Sequence, residues 1–118
     1  MSLVLLVRLK AKAGQEERVA DLMRELATET RKEPGCELYI ACRDPEDPAS
    51  FMFFEQYRDQ TAFEEHGASE HFQRIAVAQL FELVDRERAF YETTLSRYPQ
   101  ETPSLVLGMT RARERQVA

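Results

Sequence analysis

Cysteine and histidine are scarce in this sequence, at two residues each among 118. Cys36 and Cys42 lie six positions apart in one alternating segment. At about 3.3 Å per strand residue they stand roughly 20 Å apart, and a disulfide needs Cα atoms within about 7 Å. The two cannot bridge along a straight strand and read as small buried hydrophobes. No C-x-x-C or Cys/His cluster has metal spacing, so no structural metal is expected. The longest apolar run, Leu3 to Val7, is far short of the roughly 20 residues of a spanning helix. No basic stretch precedes it as in a signal peptide, so a membrane is excluded as partner and the cytoplasm is expected. A basic excess is also missing. The formal charge is −5, from 16 Lys+Arg against 21 Asp+Glu, which argues against nucleic acid.

What is present is the composition of a folded domain, 43% hydrophobic and 31% charged, in a length that suits one core. Leu3 to Lys10 alternates as a strand. Val19, Leu22, Met23, Leu26 and Ala27 recur at helical spacing, with Glu16 and Glu17 in the first turn and Pro34-Gly35 as the stop. Cys36 to Arg43 and Phe51 to Arg58 read as two strands joined by a long loop through Asp44-Pro-Glu-Asp-Pro48. Asp59 caps a short helix carrying Ala62, Phe63 and His66, and Gly67 stops it. Ser69 caps the next, whose stripe is Phe72, Ile75, Ala76, Leu80 and Leu83. Ala89 to Ser96 reads as a last strand. The order β-α-β-β-α-α-β predicts an α+β fold, an antiparallel sheet with helices on one face.

Residues 1–97 form the expected domain, and 98–118 an extension. Pro99 and Pro103 punctuate that extension, and its apolar patch, Leu105 to Met109, either crosses to a partner subunit or frays. Helices cover one side of an antiparallel sheet, yet Val4, Leu6, Met52 and Phe54 make the other side apolar too. A second copy packing sheet on sheet is the expected remedy, giving a homodimer.

The segments Glu33-Pro-Gly-Cys36, Asp44-Pro-Glu-Asp-Pro48, Phe54-Glu55-Gln-Tyr57 with Asp59, His66, and Ser69-Glu-His71-Phe72 resemble, in order and spacing, the antibiotic biosynthesis monooxygenase family. The resemblance covers about residues 2 to 96. It implies a dimeric α+β barrel, ferredoxin-like in each subunit, with a pocket between sheet and helices. It also implies an oxygenase of quinols or anthrones, a haem-degrading enzyme, or an enzyme of small signalling molecules. The haem-degrading branch uses Asn, Trp and His, and this sequence has neither tryptophan nor asparagine. Tyr57 stands where many relatives carry Trp, a departure from the oxygenase pattern.

Oxygenation without metal, flavin or other cofactor needs an electron-rich small aromatic or carbonyl substrate, a base, a positioned donor and a dry cavity. His66 is the expected base, since imidazole has an ordinary pKa near 6.5; the alternative is a core histidine bonded to a strand. Glu55 alternates with Phe53 and Tyr57 and needs a donor if buried. His66 is the expected one, whether for catalysis or only to join strand to helix. Tyr57 offers a hydroxyl to a substrate oxygen or simply packs. Phe63 shares the inward helix face, and His71 lines the pocket or caps its helix. Tyr39 and Arg43 share a strand face and could anchor a polar group. Two other classes remain open: a ligand-binding or regulatory dimer of the same fold, and helix-turn-helix DNA binding through residues 60 to 84, against which Glu64, Glu65 and Glu70 argue.

Overall fold

The computed structural model describes residues 1–95. The expected extension 98–118, and its crossing to a partner, lie outside the described residues. Four antiparallel strands, β1 (Leu3–Ala11), β2 (Cys36–Asp44), β3 (Asp47–Tyr57) and β4 (Val84–Glu92), form one sheet in the order β2-β3-β1-β4. Helix α1 (Glu16–Thr30), helix α2 (Gln60–Ala68), a π-helical turn (Phe72–Val77) and a 3-10 turn (Leu80–Leu83) cover one face. This is the expected ferredoxin-like arrangement. No helix among the described residues is long and apolar enough to cross a membrane.

The core forms where the two periodicities meet. Leu5, Val7 and Leu9 point inward from β1 and Phe51 and Phe53 from β3, against Val19, Leu22, Met23 and Leu26 of α1. Burying each such large side chain contributes about 1.5–3 kcal/mol. Glycine is needed at position 14, where φ is +83°, to turn the chain from β1 into α1. Asp59 caps α2 as its sequence position suggests, its carboxylate accepting from the Ala62 N–H at 2.9 Å.

Three local expectations are corrected. The β2–β3 connection is not a long loop: Asp44 pairs with Asp47, leaving only Pro45 and Glu46 between the strands. Side-chain bonds brace this turn, with Asp44 accepting from the Glu46 N–H (2.8 Å) and Asp47 from the Ala49 N–H (3.1 Å). The third helix is not regular α, because its turns tighten and loosen around Gln79 to reach β4. The last strand runs Val84–Glu92, not Ala89–Ser96. It starts five residues early because Asp85, Arg86, Glu87 and Arg88 sit on an edge strand whose faces tolerate charge.

Candidate active site

The chain's two histidines meet on a carboxylate that lies far from both in sequence. Glu33 Oε2 stands 2.8 Å from His66 Nδ1 and 2.6 Å from His71 Nε2. Local structure explains the convergence. After α1 the chain turns tightly, with the Glu33 N–H donating to the Thr30 carbonyl (3.0 Å) and the Cys36 N–H to the Glu33 carbonyl (3.2 Å). Gly35 presses on Ala62 so closely that an added Cβ would overlap the Ala62 Cβ. Ala62 and His66 lie one turn apart on the buried face of α2, so this contact brings the Glu33 loop to the imidazole. Ser69 then closes the helix: its hydroxyl donates to the His66 carbonyl (2.7 Å) and accepts from the Phe72 N–H (3.2 Å). The turn it makes delivers His71 to the same carboxylate oxygen.

An ionised carboxylate only accepts hydrogen bonds. Hydrogens therefore sit on His66 Nδ1 and His71 Nε2, and Nε2 of a neutral His66 ring is left as acceptor. His66 is 2% exposed. Its ring is flanked by Phe72, Tyr57 and Tyr39, with centroids 4.9, 5.4 and 5.6 Å away.

His66 borders a cavity of about 140 Å³ between sheet and helices. Its apolar wall includes Leu5, Val7, Leu26, Phe53, Phe63, Phe72 and Phe81, with Tyr39 beside them; Glu55, Arg86 and Arg88 are the charged residues on it. Phe63 packs edge-on against Phe90 at 5.4 Å. His66, Glu55, Tyr39 and Phe63 thus share one cavity, whereas Tyr57 and His71 stand behind it.

The expected Glu55–His66 hydrogen bond is replaced by two others. Glu55 accepts from the Tyr57 hydroxyl at 2.6 Å, and His66 turns Nδ1 to Glu33. Glu55 is 4% exposed, and burial pushes its pKa up to about 7, against the Tyr57 bond and the nearby His66, which pull it down. Tyr57 is fully buried, and burial with the adjacent Glu55 raises its pKa. Its hydroxyl serves Glu55 and not the cavity. Burial likewise pushes the Cys36 thiol up to about 12, leaving it a poor nucleophile. Arg43 does not join Tyr39: it stacks on Phe51 at 4.9 Å and pairs with Glu17 at 2.7 Å.

Glu33, His66 and His71 form a donor set that could take a cation, their ligand atoms lying within 4.8 Å of one another. Metal-bound donors sit about 2.0–2.2 Å from the ion and must stand apart around it. Here the carboxylate oxygen lies at hydrogen-bond distance from both rings, so the arrangement fits a bridge and a cation would have to spread it. Sequence reasoning overlooked Glu33 as a site residue, along with Arg86 and Arg88. The Arg86-Glu87-Arg88 alternation carried the signal for the last two.

Residues 2–78 match the antibiotic biosynthesis monooxygenase family. No curated protein matches the chain. Among solved structures, a Pseudomonas aeruginosa protein is 29% identical with a TM-score of 0.74, covering 80% of this chain and 95% of its own. A structure described as an antibiotic biosynthesis monooxygenase is 29% identical with a TM-score of 0.72, covering 79% and 99%. A variant of SnoaB, a cofactor-independent oxygenase from Streptomyces nogalater, shares the fold at 18% identity and a TM-score of 0.71, covering 83% and 97%. With residues 2–78 matched, well over half of its length, the chain belongs to the antibiotic biosynthesis monooxygenase family.

Proposed function

We propose that the protein is a monooxygenase that inserts one oxygen atom of O₂ into a small electron-rich ring, a quinol, without metal or flavin. The observation that carries this reading is an apolar cavity with a single imidazole on its wall, oriented from behind by Glu33. Cofactor-independent oxygenase chemistry is named for SnoaB, which shares the fold. Cavity size narrows the substrate: about 140 Å³ is on the order of the 150 Å³ that accepts benzene. One substituted ring matches that volume.

In this reading His66 Nε2 takes a phenolic proton and Glu33 stabilises the imidazolium, as the acid does in a triad. The quinolate passes one electron to O₂, the resulting radical pair combines to a ring peroxide, and His66 returns its proton to give the hydroperoxide. Loss of the proton on the oxygenated ring carbon then breaks the O–O bond, the distal oxygen taking that proton and leaving as water while the carbon keeps the other oxygen as a carbonyl. For hydroquinone the balance is C₆H₆O₂ + O₂ → C₆H₄O₃ + H₂O. The apolar walls keep water from the intermediates.

The functional unit in this reading is a homodimer. Leu6, Met52 and Phe54 stay half-buried on the sheet face opposite the helices, beside exposed Ile40 and Tyr91, and a second copy would cover them. Two free thiols suit the reducing cytoplasm.

Oxygen uptake by chelator-treated protein with one-ring and two-ring quinols tests the proposal, against His66→Ala and heat-inactivated controls. Uptake above both controls is expected. Saturable binding without uptake would replace the oxygenase with a ligand-binding dimer.

A further inference from the structure

Of the nine arginines among the described residues, four, Arg24, Arg43, Arg58 and Arg74, pair with a carboxylate, while Arg18 and Arg31 donate to the Gln79 side chain and the Tyr39 carbonyl. Arg86 and Arg88 meet none within 4.0 Å among the described residues, although both border the cavity. Their own strand explains this: Asp85 and Glu87 alternate with them and point to the opposite face of the sheet, across from Lys10 and Arg8. Aromatic rings hold them instead, with the Arg86 guanidinium 3.8 Å from the Phe81 centroid and that of Arg88 5.2 Å from Phe90. Two like charges two residues apart on one strand face repel each other. Partial burial and Arg88 together lower the Arg86 pKa. Glu55, the one carboxylate on the cavity wall, is held towards its neutral form by burial, against the pull of the Tyr57 bond, His66 and Arg88.

We propose that Arg86 and Arg88 form an anion-binding subsite at the solvent side of the cavity, so that the ring taken by the apolar part carries a carboxylate. The ligand class is a one-ring hydroxyaromatic acid, its ring against Phe53 and Phe63 and its carboxylate reaching the two guanidiniums. The identification of the ring as the reacting part rests on the monooxygenase reading; the anion subsite does not need turnover.

The test is calorimetric binding of 2,5-dihydroxybenzoate and of hydroquinone to the full chain, without oxygen. Wild type should prefer the acid by at least about tenfold at low salt, and the preference should shrink as salt rises. An Arg86→Gln/Arg88→Gln double variant should lose it, and Arg86→Lys should keep part of it. Equal affinities in wild type, or a preference intact in the double variant, would overturn the subsite. Should that variant not fold, a wild-type preference indifferent to salt would overturn it instead. Because binding is read anaerobically, preferential binding with no later oxygen uptake would sink the monooxygenase and leave the subsite standing.

Discussion

Glu33 Oε2 lies 2.8 Å from His66 Nδ1, and on its other side the same oxygen meets His71 Nε2 at 2.6 Å. If His66 is the base, Glu33 acts through it as a positioning residue. Glu33→Gln keeps an acceptor for Nδ1–H but removes the charge that stabilises the imidazolium. It should lower kcat by roughly tenfold to a hundredfold with little change in KM, whereas His66→Ala should cost about 10² to 10⁴. A Glu33→Gln variant with wild-type kcat would reduce the carboxylate to a structural bridge. Steady-state oxygen uptake gives both parameters.

Glu55 sets a pH dependence of stability. Its folded pKa, about 7, exceeds the ordinary 4.5, so the folded state binds the proton more tightly than the unfolded one. The fold is therefore relatively favoured below pH 4.5, and that advantage is lost as pH rises through 7. The loss is roughly 2 to 4 kcal/mol, at about 1.4 kcal/mol for each tenfold change in proton affinity. Glu55→Gln stays neutral and should flatten this part of the profile. Denaturant unfolding at pH 5, 6, 7 and 8 should show the variant gaining on wild type with each step, and parallel profiles would refute the assignment.

Gly35 is where the loop of Glu33 meets α2. A methyl group added there would overlap the Ala62 Cβ, and that atom belongs to a short side chain that cannot swing away. Gly35→Ala should destabilise by about 1–3 kcal/mol. It should also lower kcat in the protein that still folds, because separating loop from helix stretches the Glu33–His66 contact. Thermal melts and oxygen uptake on the same preparation separate the two effects. A variant as stable as wild type would mean that the helix shifts freely.

The sequence announces its regular parts more clearly than its site. The 3.6-residue stripe from Val19 to Ala27 and the alternation of Leu3, Leu5, Val7 and Leu9 are local signals, and the elements appear where they point. Asp59 likewise marks the start of α2 because capping is local chemistry. β4 is less legible. Edge position, which no local window reveals, is what lets charged Asp85 to Arg88 form a strand. His66 and Glu55 could be picked out as polar residues on inward faces, but their partners could not. Glu33 lies 33 residues from His66, and its approach depends on how α1, Gly35 and α2 stack. Tyr57 is two residues from Glu55, near enough to have been paired with it from the strand alternation alone.

The outer face of the sheet carries a second apolar surface. Leu6 pairs with Phe54 across β1 and β3, and Phe54 with Ile40 across β3 and β2, giving an apolar stripe on the side that no helix covers. If a second copy buries that stripe, light scattering should give twice the 13.7 kDa of the chain. Phe54→Lys would place an unpaired ammonium inside the interface, at a cost of several kcal/mol per buried charge, and should shift the protein to monomers. The outer face is separated from the cavity by the sheet itself, so ring binding should survive in the monomer if each subunit holds a whole site. Loss of binding together with the dimer would mean that the partner completes the cavity, and a wild-type mass of one chain would remove the sheet-on-sheet dimer altogether.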